Sequence, residues 1–167
     1  ALLIIVNGWR RLIGTITAFT LAHSITLFAA TLGWVHVAQA PVEAVIALSI
    51  LFLATEIIHN RQGKPGMAKR FPWLVAFIFG LLHGFGFAGA LAEIGLPEQS
   101  IPLALLFFNV GVELGQLIFV AAVVGAGWVL RKLIAEKTLQ GSEVAASYLI
   151  GSLSAYWVIE RTYSFWS

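Results

Sequence analysis

From Leu12 to Trp34 the chain carries no Lys, Arg, Asp or Glu. About 20 apolar residues, at ~1.5 Å of rise each, cross the ~30 Å hydrocarbon core of a bilayer. Inside that core a backbone has to satisfy its own N–H and C=O groups, so a stretch of this kind is a helix. The pattern recurs along the chain and predicts spans at 12–34, 42–58, 72–91, 101–129 and 144–160. The fold class expected is therefore all-α, a polytopic transmembrane helix bundle forming a single transmembrane domain over 1–167. Composition agrees: 11% of the residues are charged, against ~25% in a soluble domain. Ala1–Val6 is apolar but too short to span, and reads as the remnant of an upstream sixth helix.

Five spans place the loops alternately on two sides. Arg10, Arg11, Arg61, Lys64, Lys69, Arg70, Arg131, Lys132 and Lys137 fall on one side, and Arg161 alone on the other. The positive-inside rule assigns the basic side to the cytoplasm and the C-terminus to the outside. Tyr156, Trp157, Tyr163 and Trp166 flank the last span as an aromatic belt does. The net charge of +2 is too small to suggest a nucleic-acid partner, and with no cysteine the chain has no thiolate metal site, disulfide or cysteine nucleophile.

Depth in the membrane singles out the chemistry-bearing residues. His23 and His83 lie eleven residues in from Leu12 and Pro72, and Glu113 twelve in from Ile101. At ~1.5 Å per residue each is roughly 16–18 Å deep, near the midplane. Asn109, Glu113 and Gln116 share one helix face, as do Thr20, His23, Ser24 and Leu27. An isolated carboxylate at this depth costs several kcal/mol, a penalty that a cation or a protonated histidine removes. Two imidazoles, a carboxylate and amide oxygens suit a divalent transition metal such as nickel, cobalt or zinc. His23, His83, Glu113, Asn109 and Gln116 are thus the expected metal site, with Thr20 and Ser24 orienting ligands or replacing waters. Each side chain also has an ordinary reading, as hydrogen-bond glue between helices. Glu56 and His59, at the cytoplasmic end of the second span, read first as a solvated helix end and second as a weak exit or entry site. The pairs Gly80/Gly84 and Gly111/Gly115 are small-xxx-small spacings that let helices approach closely, within the chain or in a homo-oligomer.

The segments Phe19-Thr-Leu-Ala-His-Ser-Ile-Thr-Leu27, Gly80-Leu-Leu-His-Gly-Phe-Gly-Phe-Ala88 and Phe108-Asn-Val-Gly-Val-Glu-Leu-Gly-Gln116 resemble the HupE/UreJ family of hydrogenase and urease accessory membrane proteins. Val42–Ser49 and Ala155–Arg161 are similar to it as well, so the likeness spans nearly the whole chain. The resemblance implies a nickel or cobalt permease of the bacterial inner membrane, working with hydrogenase or urease maturation proteins. It puts His23, His83 and Glu113 on the family's distinctive polar positions, with Asn109 and Gln116 beside them. Family members carry an earlier helix with a Gly-x-Asp-His type motif, which Ala1–Val6 would continue. The residue types alone leave open an intramembrane zinc hydrolase, with Glu113 as general base, or a structural or tetrapyrrole-binding subunit.

Overall fold

The computed structural model describes residues 2–6, 8–94, 100–133 and 136–165, which form helices and turns with no strand among them. The helices are α1 (Leu2–Ile5), α2 (Trp9–Thr31), α3 (Gln39–Arg61), α4 (Met67–Arg70), α5 (Pro72–Ile94), α6 (Ile101–Leu133) and α7 (Glu136–Tyr163). Four of them are long and apolar enough to cross a membrane: Trp9–Thr31, Gln39–Arg61, Pro72–Leu91 and Ile101–Leu130. The expected span 144–160 lies within α7, which is more polar and is not among those four.

Several boundaries differ from the sequence expectation. Arg10 and Arg11 sit in the first turn of α2 rather than ahead of it. Pro41 is the third residue of α3, where a missing N–H costs nothing because the first-turn donors have no intrahelical partner. The expected polar connection 131–141 folds largely as the end of α6 and the start of α7. The expected acidic turn 93–100 lies mostly outside the described residues. Two helices end at glycines in left-handed conformation, Gly33 (φ 73°) and Gly63 (φ 76°). In both, the residue after the glycine donates its N–H back to the helix, Trp34 to Ala29 O at 2.9 Å and Lys64 to His59 O at 3.0 Å. That is the Schellman closure of a C-terminus.

Packing neighbours put the long helices in a row: α6 against α2, α2 against α5, α5 against α3, and α3 against α7. The α2–α5 contact is the closest, and glycine makes it so. A Cβ on Gly80 would strike Phe19 O and Ala22, and one on Gly84 would strike Thr26 Oγ1, His23 O and Leu27 N. Gly86 and Gly89 admit α3 in the same way. Gln39 Nε2 donates to Gly86 O at 2.9 Å, and a Cβ on Gly89 would meet the Gln39 side chain.

Ion pairs join α3 and α7 at both ends, Arg61–Glu143 at 2.8 Å and Arg161–Glu43 at 3.0 Å. Apolar clusters pack toward the two ends of the bundle, along the helix axes. Ile5, Leu53, Ile57, Ala68 and Val75 pack at the basic end, and Leu27, Leu91 and Leu105 at the other. Glu56 is buried in the first of these ends, where its Oε2 accepts the Ala68 N–H at 2.9 Å and caps α4. It is neither a solvated helix end nor paired with His59, which is exposed.

Candidate functional site

The glycine contact that draws α5 onto α2 also sets the two histidines. Gly80 and Gly84 flank His83, and the α2 backbone they touch carries Phe19, Ala22 and His23. Both imidazoles lie against the same phenyl ring. Phe19 stacks on His23 with centroids 6.0 Å apart and meets His83 edge-on at 5.2 Å. Phe87 of α5 and Phe108 of α6 complete the enclosure of His23, at 5.1 and 6.3 Å. His23 is fully buried, and neither Nδ1 nor Nε2 has a hydrogen-bond partner among the described residues. His83 differs. Its Nδ1 is 2.7 Å from Phe79 O, and a carbonyl only accepts, so the proton is on Nδ1 and the lone pair on Nε2. An imidazole held this way by a backbone carbonyl is oriented as metal-ligating histidines are.

Glu113 is placed apart from the histidine pair. Thr17 Oγ1 donates to its Oε1 at 3.1 Å, and Thr17 is six residues before His23, about 9 Å along α2 toward the basic end. Asn109 donates its Nδ2 to Leu105 O at 2.8 Å and leaves Oδ1 buried without a partner. Gln116 Oε1 is buried and unpartnered as well. Among the described residues no three His, Cys, Asp or Glu side chains are grouped so as to hold a metal ion.

The hydroxyls expected to orient ligands turn back on their own helix: Thr20 to Ile16 O at 3.2 Å and Ser24 to Thr20 O at 2.7 Å. This is the local alternative open to Ser and Thr inside a helix.

Four of the five buried polar atoms left without a partner among the described residues belong to His23, Asn109 and Gln116; the fifth is Thr31 Oγ1. Leaving such a group unpaired costs about 1–3 kcal/mol each. Neutral imidazole nitrogen, amide oxygen and a carboxylate are donors of intermediate hardness, the mixture that divalent first-row transition metals accept. Sequence reasoning gave Thr17 no role, since it is one of several polar residues of its helix. It also missed Phe19, whose ring links the two imidazoles.

A multi-pass helical membrane protein with unpaired nitrogen and oxygen donors buried between its helices is the class these features define. The family profile described as HupE / UreJ protein matches residues 1–161, and the chain belongs to that family. No curated protein and no solved structure matches it.

Proposed function

We propose that the protein is a membrane permease or delivery protein for a divalent transition metal, nickel or cobalt, which binds as cargo between α2, α5 and α6. The observation that carries this reading is the coincidence of unpaired atoms with metal-ligand side chains: both nitrogens of His23 and the amide oxygens of Asn109 and Gln116. A chain that keeps such groups unpaired in an apolar interior gives up stability that a bound cation would return. His83 supplies a lone pair at Nε2, and Glu113 supplies the negative charge that a dication needs in hydrocarbon. Family membership supports a role in supplying metal to hydrogenase or urease assembly.

The reading includes a fifth crossing by α7. Eighteen residues separate Glu43 from Arg61 on α3, and eighteen separate Glu143 from Arg161 on α7. The two ion pairs therefore bracket about 27 Å of each helix, so α7 runs antiparallel beside α3 through the same thickness. With five crossings the nine basic residues share the cytoplasmic face.

Uptake of nickel and cobalt into proteoliposomes tests the proposal. The wild type is expected to accumulate one of the two ions. His83→Ala and Glu113→Gln are expected to lower the rate by about 10–100-fold, the usual consequence of disturbing a metal's ligand shells. Wild-type vesicles that take up neither ion, or variants that transport like wild type, overturn it.

A further inference from the structure

A groove on the other side of α5 lies between that helix and α3. It has a volume of ≈540 Å³ and is lined by Val45, Leu48 and Phe52 of α3, Ile78 and Leu82 of α5 and Met67 of α4, among others. Val45, Leu48, Phe52, Ile78 and Met67 are all exposed. Ser49 and Thr55 also line it, but both hydroxyls turn back on their own helix. Ser49 Oγ donates to Ile46 O at 2.6 Å and Thr55 Oγ1 to Phe52 O at 2.8 Å. The walls therefore offer little to a polar or hydrated ligand and suit a hydrocarbon chain.

One end of this groove is charged. Met67 and Arg70 are three residues apart on α4 and share a face. Lys69 Nζ donates to Asn60 Oδ1 at 2.7 Å, which holds the ammonium beside the end of α3. Lys64 lies in the loop between α3 and α4. At this end Glu143 pairs with Arg61 and Glu56 caps α4, and among the described residues no carboxylate pairs with Lys64, Lys69 or Arg70. Phe71, one turn before Val75, and Trp73 are exposed here too, as aromatic side chains at a membrane interface are.

We infer that the groove is a binding site for an anionic phospholipid, one acyl chain lying between α3 and α5 and the headgroup phosphate meeting Lys69 and Arg70 at the basic end. The inference goes beyond the metal reading and does not depend on it. Its first support is length. The lining runs from Val75 to Leu82 on α5 and from Thr55 to Val45 on α3, ~10 and ~15 Å of rise. One leaflet contributes about 15 Å to the hydrocarbon core, so a chain anchored at the basic end reaches as deep as the groove does. The second support is charge. Cations without a carboxylate partner, set at the mouth of an apolar groove, complement a molecule that is anionic at one end and apolar over the rest. A zwitterionic lipid matches only the apolar part. Each basic residue near the surface strengthens the hold on an anionic lipid about fivefold.

Native mass spectrometry of the purified protein in detergent tests this. Palmitoyl-oleoyl phosphatidylglycerol and phosphatidylcholine, identical in their chains, are added separately and the retained lipids counted. The wild type is expected to hold one phosphatidylglycerol at least about tenfold more tightly than phosphatidylcholine. Lys69→Gln with Arg70→Gln should bring phosphatidylglycerol down to the phosphatidylcholine level. Arg10→Gln with Arg11→Gln removes the same charge from exposed positions on α2 and should leave the preference unchanged. Leu48→Trp and Ile78→Trp, at positions 50% and 45% exposed, put an indole into the groove and should weaken retention of both lipids. Glycerol phosphate, which carries the anion without chains, should not displace the bound lipid.

Equal retention of the two lipids overturns the inference. So does a Lys69/Arg70 variant that behaves like wild type, or an Arg10/Arg11 variant that loses as much. Tryptophan variants without effect, or displacement by glycerol phosphate, would remove the groove from the site and overturn it as well. Lipid retention is read without metal, so its failure and a failure of metal uptake are told apart.

Discussion

The chain carries two small-xxx-small pairs, and the structure gives them opposite fates. Gly80/Gly84 on α5 is pressed against α2, whereas a Cβ on Gly111 or Gly115 of α6 would meet nothing within 4 Å. Alanine at Gly84 and alanine at Gly111 should therefore behave differently although the local sequences look alike. The methyl on Gly84 would stand 2.9 Å from Leu27 N, and closer to His23 O and Thr26 Oγ1. Two of those three atoms are backbone and have no rotamer to yield. Restoring ordinary contact near 3.5 Å with the nearer of the two backbone atoms requires α2 and α5 to part by about an ångström. A gap of ~0.5–1 Å forfeits a quarter to a half of each dispersion contact across the interface, and overpacking of this kind costs about 1–3 kcal/mol.

Gly111→Ala meets no obstacle and removes a helix-propensity penalty of up to ~1 kcal/mol, so it should be neutral or mildly stabilising. Thermal unfolding of the purified protein in one detergent, followed by tryptophan fluorescence, separates the cases. Gly84→Ala and Gly80→Ala should lower Tm, and Gly111→Ala and Gly115→Ala should leave it unchanged or raise it. A neutral Gly84→Ala would refute the close α2–α5 contact and with it the placement of both histidines. A Gly111→Ala as costly as Gly84→Ala would mean that a second helix covers the face of α6.

Three further outcomes follow from single contacts. His23→Phe places an apolar ring among Phe19, Phe87 and Phe108 and removes two unpaired nitrogens. It should raise unfolding stability by about 1–3 kcal/mol while abolishing metal uptake, and a loss of stability would show that the imidazole has a partner within the protein. Glu56→Ala removes the cap of α4 and should cost about 0.5–2 kcal/mol, with amide exchange at Ala68 accelerated; Gly66→Ala should be at least as costly because its Cβ would occupy the Glu56 carboxylate position. Reversing Arg161 to Glu alone should destabilise by about 0.2–1 kcal/mol, and adding Glu43→Arg should restore most of that loss, a cycle measured by the same thermal unfolding.

The spans were legible because hydropathy over some twenty residues is a summed quantity, insensitive to any single position. Their ends were less so, since Gly33 and Gly63 close helices through backbone conformation that hydropathy does not weigh. α7 was legible as a helix over 144–160, and it is not among the four helices apolar enough to cross a membrane. Its serines and terminal charges lower its apolar character, and its tie to α3 through Arg61–Glu143 and Arg161–Glu43 is a tertiary fact. The site divides in the same manner. Rise per residue gives depth, and it picked out His23 and His83, which share the Phe19 ring. Depth says nothing of lateral neighbours, so Glu113, assigned to the same level, is met instead by Thr17 about 9 Å nearer the basic end. Glu56 was misread for a related reason: a residue twelve positions on, Ala68, folds back over it.

The arrangement separates a closely held helix pair from a loosely held helix. His23 and His83 belong to α2 and α5, which are joined backbone to backbone through Gly80 and Gly84, so their relation survives small helix motions. The carboxylate and both amides belong to α6, whose most apolar window is 11% buried against 39% for that of α2. Buried apolar contact is what resists displacement, at ~25 cal/mol per Å², so α6 is the least costly crossing to shift among the four. Among the described residues its one side-chain hydrogen bond to α2 is that from Thr17 to Glu113. On the proposed reading, a cation competing for Glu113 would act on the least buried of these four helices, away from the Gly80/Gly84 contact that holds His23 and His83 together.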